Sequence, residues 1–383
     1  MKILKLTTII LLFATCLQAQ TVENGMMSLG EHRRPNKREI ISIPDVNGYK
    51  VLKCDFHVHT VFSDGHVWPT VRVQEAWWEG IDAMSLTEHV EYQPYQEDVK
   101  TNHNRAYELI EENAKRNNIV LIKGTEVTRM TPPGHFNAIY VGDVSGYIDH
   151  RAENDTENDR AAVMKAKAQN AFIFWNHPGW QPGIAGSYEW LDILEDLHRN
   201  KALHGIEVFN GFHFHAKALD WCIDKGLTVL GTSDIHNLIQ HDYDMSQDYI
   251  HRSMTLVMAK ERTPESIREA LEAGRTVAWA SKYLAGKEEN VSNLFNSCVE
   301  ISSAYYTEER RNGAATNYYI IRNNSDLYFE LRLTSGNGTG RVVLYPNSEQ
   351  QITAQSGQSS LSYDVVTAYV RSDKHLNVTL LLK

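Results

Sequence analysis

Residues 55–65 read Asp-Phe-His-Val-His-Thr-Val-Phe-Ser-Asp-Gly. They close a short apolar run, 51–57, whose pattern predicts a strand. His57 and His59 are two apart. On an extended segment such residues point the same way, so both imidazoles can reach one ion. Asp64 follows on a turn at Ser63-Asp64-Gly65.

Other strand candidates end in the same kind of chemistry. They lie at 82–87, 119–126, 136–141, 171–176, 205–209, 227–232 and 253–258. Glu88 and His89 follow the first of these. Glu126 ends the next, and His135 opens the one after. His177, then Glu207 and Asn210, then Asp234 and His236 sit at later strand ends. Helix candidates fall between many of the strands. Residues 69–79 follow Pro69, a good first-turn residue. Residues 105–117 and 188–199 carry helical spacing, and 264–273 open on Thr263 as a cap and close at Gly274. Seven or eight alternating units predict an α/β fold with a mostly parallel sheet, closed as a barrel. Barrel enzymes carry their active sites at the C-terminal ends of the strands.

The blocks HxHxxxxD at 57–64, Thr87-Glu88-His89, Gly124-Thr125-Glu126, His135, Asn176-His177-Pro178 and Ser233-Asp234-Ile235-His236 occur in this order. Together they resemble the PHP superfamily, named for the polymerase-associated and histidinol phosphatase domains. The resemblance covers about 51–281 and suits a secreted bacterial type with a C-terminal β domain. It implies a distorted (β/α)7 barrel with two or three divalent ions and hydrolysis of phosphoesters. It also implies nine ligands. His57, His59, Glu126 and Asp234 would hold one ion, and Asp64, His89 and His236 a second. His135 and His177 would hold a third, with Glu126 bridging. Glu88 departs from the Thr-Asp-His that the family's second block usually shows. Histidine and carboxylate mixtures suit Zn, Mn or Fe.

The expected reaction is attack by a metal-bridging hydroxide on a phosphomonoester or phosphodiester, nucleotide-derived substrates included. Asp234 and His236 are expected as ligands that also carry protons. Arg129 is a candidate phosphate clamp by its fork geometry. Trp180, just past His177-Pro178-Gly179, is a candidate stacking surface for a base or sugar. His213 and His215 form a second HxH, expected at the mouth of the barrel. Glu207 and Asn210 are expected to support ligands rather than to ligate. His66, His103, His150, His198, His204, His241 and His251 are expected to be ordinary surface or helix residues. The alternatives are a metal hydrolase of a non-phosphate bond, or a metal or ligand receptor without catalysis.

Histidine is concentrated as this reading requires. Of 17 histidines in 383 residues, only His375 lies beyond His251. The texture also changes near residue 285. Beyond it, 286–383 alternates polar and apolar residues between Asn, Ser and Gly clusters, which predicts a small β-sandwich-like domain. Strands are expected at 317–322, 327–333, 341–345, 361–371 and 375–382. No motif there carries chemistry, so a packing role is expected, with glycan binding, tethering or roofing of the site as alternatives.

Residues 1–19 read as a signal peptide. Lys2 and Lys5 precede a short apolar run at 7–14, and Ala19 stands before the cut. The expected location is secreted, periplasmic. A lipoprotein cut at Cys16 is disfavoured by Thr15 before it. Residues 20–45 are expected to be a tether into the barrel, which would span 46–285. No stretch reaches the ~20 apolar residues of a membrane span. The formal charge is −10, and −12 once Lys2 and Lys5 leave. That excludes a basic footprint for a stable nucleic-acid complex. Cys54, Cys222 and Cys298 are too few and too scattered for a disulfide framework.

Overall fold

The computed structural model describes residues 37–100, 102–144, 156–244, 250–309 and 313–383. The expected signal peptide, Cys16, most of the tether and His150 lie outside them. Arg38–Lys383 forms one compact unit.

The first part runs β1 (Lys50–Asp55), α1 (Pro69–Trp78), β2 (Ala83–Leu86), α2 (His103–Arg116), β3 (Val120–Val127) and β4 (Phe136–Ile139). It continues through α3 (Thr156–Ala168), β5 (Phe172–Trp175), α4 (Asp192–Arg199), β6 (Gly205–Asn210), β7 (His213–Phe214), α5 (Ala216–Lys225) and β8 (Thr228–Thr232). Then follow α6 (Ile239–Asp242), β9 (Met254–Ala259), α7 (Pro264–Glu272), β10 (Thr276–Ala280), β11 (Tyr283–Gly286) and α8 (Glu288–Cys298). Local chemistry sets several of these boundaries. Pro69 opens α1 at its first turn. The Thr263 side chain accepts from Ser266 N at 3.2 Å to cap α7, and Gly226 closes α5 in the left-handed region at φ 72°.

The sheet is mixed, not mostly parallel as expected. β1–β2–β3 and β5–β6–β8 pair in parallel, but β3–β4 and β4–β5 are antiparallel. On the other side β1–β9, β9–β10 and β10–β11 are antiparallel. Chain length explains β4. Eight residues separate it from β3, and a parallel crossover needs a dozen or more. The row also curls back on itself. Thr255 Oγ1 in β9 donates to Gly231 O of β8 at 2.7 Å and accepts from Gly231 N at 3.0 Å. Thr276 Oγ1 in β10 donates to Val229 O at 2.7 Å. Side chains make these bonds, and a Cβ at Gly231 would lie 2.6 Å from Met254 O, so only glycine permits the approach.

The last part adds β12 (Val299–Ile301), β13 (Tyr306–Glu309), β14 (Ala315–Asn323), β15 (Phe329–Ser335), β16 (Arg341–Leu344), β17 (Glu349–Gln355), β18 (Ser360–Arg371) and β19 (Lys374–Leu381). Two sheets face each other. One holds β16, β15, β18 and β19, and the other holds β12, β14, β13 and β17. Alternate residues from both, such as Ile321, Ile352, Leu331 and Tyr363, are buried between them. The first of these sheets continues into the large one. β11 and β18 pair in parallel, with Leu284 opposite Ala368 and Ala285 opposite Tyr369. The end of the expected tether is also tied in. Arg38 donates to Ile81 O at 2.8 Å, and Ser42 O accepts from Asp326 N at 2.9 Å.

Candidate metal centre

One edge of the sheet gathers the chemistry. β1, β2, β3, β5 and β8 all end at it. β4 runs the other way, so His135, which precedes it, lies at the same edge. All nine expected ligands meet there. Their ligand atoms fall into four overlapping groups, within 4.8 Å inside each group. These are His59, Asp64, His89 and His236; His57, His59 and Asp234; His57, Glu126 and His177; and His89, Glu126 and His135. The expected third pair is therefore divided. His177 falls with His57, and His135 falls with His89, while Glu126 joins both.

Partners fix the ring nitrogens. A carboxylate can only accept, so His57 Nδ1 donates to Glu207 Oε1 at 2.7 Å and its Nε2 is left with a lone pair. His236 Nδ1 donates to Asp234 O at 2.8 Å, which leaves its Nε2 facing Asp64 Oδ1 at 3.1 Å. Ser63 Oγ is 2.6 Å from Glu88 Oε2 and donates to it, so it accepts from His59 Nδ1 at 3.3 Å. His57 Nε2 and His59 Nε2 then face each other at 3.0 Å. Glu126 Oε2 lies 3.3 Å from each, and Asp234 Oδ1 lies 3.0 and 3.1 Å from them. Asp234 Oδ1 is buried and has no hydrogen-bond donor. Four such atoms converging in a buried place need a positive charge among them, a proton on an imidazole or a metal cation in its place, and the donor types fit Zn, Mn or Fe.

The charges agree with this. Burial disfavours a charged His59, but the adjacent Asp234 and Glu126 carboxylates outweigh it and raise the imidazole to about 10. Burial also pushes Glu126 and Asp234 upward, yet the imidazoles around them hold both well below the usual carboxylate range. His135 is lowered by burial to about 4 in spite of Glu126. Two of the expected ligands sit in left-handed backbone, His177 at φ 26° and Asp234 at φ 51°, where non-glycine residues are uncommon and cluster at functional sites.

A second layer holds the ligands. Glu207 is its hub. Besides His57 it accepts from Thr232 Oγ1 at 2.7 Å, His177 N at 2.8 Å and Asn210 Nδ2 at 2.9 Å. Asn210 also reaches Asp234 Oδ2 at 3.2 Å. Both residues thus act as the supports the sequence suggested. Glu88 turns away from the cluster and accepts from Thr60 Oγ1 at 2.5 Å and from Ser63 Oγ, pinning the loop that carries His59 and Asp64.

Two buried arginines were not anticipated. Arg72 on α1 donates to His59 O at 2.8 Å, Ile235 O at 3.1 Å, His236 O at 2.8 Å and Asn237 O at 2.7 Å. It ties the two ligand loops together and also pairs with Glu75 at 2.8 Å. Arg252 pairs with Glu79 and with Asp55 at 3.1 Å, and Asp55 in turn accepts from Ser233 beside Asp234. Neither carries a motif. Only a charge between Val71 and Val73 marks Arg72 in the sequence, and nothing local marks Arg252, which lies between His251 and Ser253.

Over the cluster lies a cavity of about 820 Å³. Asp64, His89, His135, His177, Asp234 and His236 reach it. Arg129 lines it too, but its guanidinium is buried and paired with Glu91 at 3.2 Å, with Asp159 at 3.9 Å. Burial raises Glu91 to about 7, against the pull of Arg129. Trp180, His213 and His215 line the cavity as well. His215 is nearly buried and burial lowers it to about 4. Tyr92, Met130 and Tyr188, not singled out beforehand, complete much of the wall. Of the histidines expected to be ordinary, His251 is a correction. It is largely buried, with Nδ1 2.6 Å from Arg252 O, against Trp279.

Several overlapping His-and-carboxylate groups able to hold metal, at the strand ends of a mixed α/β sheet with a β domain appended, define the class as a two-domain protein of PHP-like type. A two-domain protein from Bacteroides vulgatus containing a predicted PHP-like metal-dependent phosphoesterase is 40% identical, at a TM-score of 0.83 over 91% of this chain and 100% of that one. The chain belongs to the PHP-like metal-dependent phosphoesterase family. An Ig-like domain matches residues 299–381. A candidate metal-dependent phosphoesterase from Bifidobacterium adolescentis shares 16% identity at a TM-score of 0.36, over 49% of this chain and 89% of its own. An amidohydrolase from Chromobacterium violaceum shares 16% at 0.31, over 48% and 87%. Such scores carry no argument. No curated protein matches the chain.

Proposed function

We propose that the chain is a secreted, periplasmic hydrolase of a phosphorylated small molecule, a phosphomonoester or phosphodiester, nucleotide-derived ones included. One observation carries this: nine ligand-capable side chains converge, and six of them line a cavity large enough to enclose a drug-sized ligand. The family supports it, and the apolar run at 7–14 behind Lys2 and Lys5 supports export. The curled row of strands is taken as the distorted (β/α)7 barrel.

His57, His59, Asp64, His89, Glu126, His135, His177, Asp234 and His236 would hold two or three divalent ions. Such ions, when bound, supply a hydroxide nucleophile at neutral pH and offset charge on the phosphoryl oxygens. Glu207 orients His57, and Glu88 holds the His59 loop. Asp234 Oδ2 and His236 border the cavity, where they can accept and return a proton. Arg129, held by Glu91, adds a fixed positive group to the wall.

The test is p-nitrophenol release from mono- and bis-(p-nitrophenyl) phosphate by the mature chain with Mn²⁺. Release that EDTA abolishes supports the proposal, and the ratio of the two rates sets the ester class. No release from metal-loaded protein would sink the general phosphoesterase reading.

A further inference from the structure

The open part of the wall above the cluster carries two large aromatic rings beside Met130. Trp180 and Tyr92 are 48% and 43% exposed, which is unusual for large rings beside a buried polar centre. Each touches the ligands directly. The Trp180 ring lies 5.6 Å from His135 and 5.5 Å from His177, and the Tyr92 ring 6.0 Å from His89. His89 and His135 are themselves 5.5 Å apart. The four rings Tyr92, His89, His135 and Trp180 therefore form one row, ligands in the middle and exposed aromatics at the ends.

Trp180 is also held in place. Its N donates to His177 O at 3.1 Å, and Gly179 before it adopts φ 79°. A Cβ on Gly179 would lie 2.7 Å from the Tyr188 ring, so the turn packs tightly enough to fix where Trp180 stands. Among the described lining residues the only lysine or arginine is Arg129, already paired with Glu91. The wall thus offers flat aromatic faces and, besides histidine, a single buried cation, whose Nη2 faces Glu91.

We propose that the substrate's leaving group carries a flat aromatic ring, which stacks on Trp180 and borders Tyr92 while its phosphoryl group sits at the ligand cluster. This rests on the phosphoesterase reading above. A phosphoryl group against the ligands leaves its ester substituent among these rings, and stacking rewards a flat partner over a puckered one of equal bulk.

The experiment compares 2-naphthylmethyl phosphate with its saturated equivalent, decahydro-2-naphthylmethyl phosphate, on the metal-loaded full chain. Both release primary alcohols, so chemistry of the leaving oxygen differs little. The expected result is a naphthylmethyl preference in kcat/KM on the order of tenfold, the size of one stacking contact, carried mainly by KM. Trp180→Leu, which keeps apolar bulk, should bring the ratio close to one, and Tyr92→Leu should lower it. Equal rates in the native chain, or a preference that survives both substitutions, overturn the inference and leave the phosphoesterase reading standing. If neither ester is cleaved, calorimetric binding of the two matching phosphonates decides. Tighter, Trp180-dependent binding of the naphthyl compound upholds the inference while the phosphoesterase reading fails. Equal binding, or none, overturns it.

Discussion

Glu207 Oε1 and His57 Nδ1 meet at 2.7 Å with neither side chain open to solvent. This contact decides which imidazole nitrogen faces the cluster, and the same carboxylate also positions the His177 backbone. Glu207→Gln keeps the shape and removes the charge. Metal affinity should fall about 10–100-fold, the usual effect of losing such a partner. Chelator competition measures it, and an affinity equal to the native chain's would show that Glu207 only fills space.

Metal binding should be proton-linked. In the metal-free protein His59 is held at about 10, against ~6.5 when unfolded. A raised imidazole contributes stability that is full below about pH 6.5 and is lost as pH rises toward 10. A cation must displace the same proton. Apparent affinity should therefore strengthen by up to roughly tenfold per pH unit for that proton, up to about pH 10. Titrations at three pH values in that range test it, and a flat profile contradicts it.

Arg72 spends its donors on four backbone carbonyls and Glu75. Arg72→Leu would leave those acceptors and a buried carboxylate without partners. The expected loss is about 3 kcal/mol or more in urea unfolding. A loss below about 1 kcal/mol would mean the loops hold themselves.

Gly179→Ala meets both a positive φ and the Tyr188 ring. A destabilisation of about 1–3 kcal/mol is expected. Weakened naphthylmethyl binding should accompany it, since Trp180 must shift with the turn.

Cys54, Cys222 and Cys298 are free and buried, and burial raises each thiol. A thiol reagent should therefore react with none of them until the chain is denatured, and reductant should leave Tm unmoved. Prompt labelling of the native protein would contradict the burial.

Much of this was legible in the sequence. All eight early strands form within one or two residues of their expected ends, because each is a short apolar run bounded by polar residues. The nine side chains that converge were legible as ordered motifs. Strand direction was misread as mostly parallel, although the eight residues between Val127 and Phe136 were too few for a crossover. Helix α8 was missed for a different reason. Val291, Leu294, Phe295 and Cys298 have helical spacing, but the Asn and Ser around them suggested turns. The grouping of ligands and the reach of Arg72 depend on side-chain directions, which no pattern of residue types encodes.

The pairing of Leu284 and Ala285 with Ala368 and Tyr369 has a bearing on protein engineering. A cut at Gly286 would strip β11 of a neighbour and leave an open, apolar strand edge, a template for sticking to other chains. A truncated first part is thus expected to precipitate where the whole chain does not. Anyone grafting another module onto this one must supply a strand in place of β18, so the two parts are inherited, and exchanged, together.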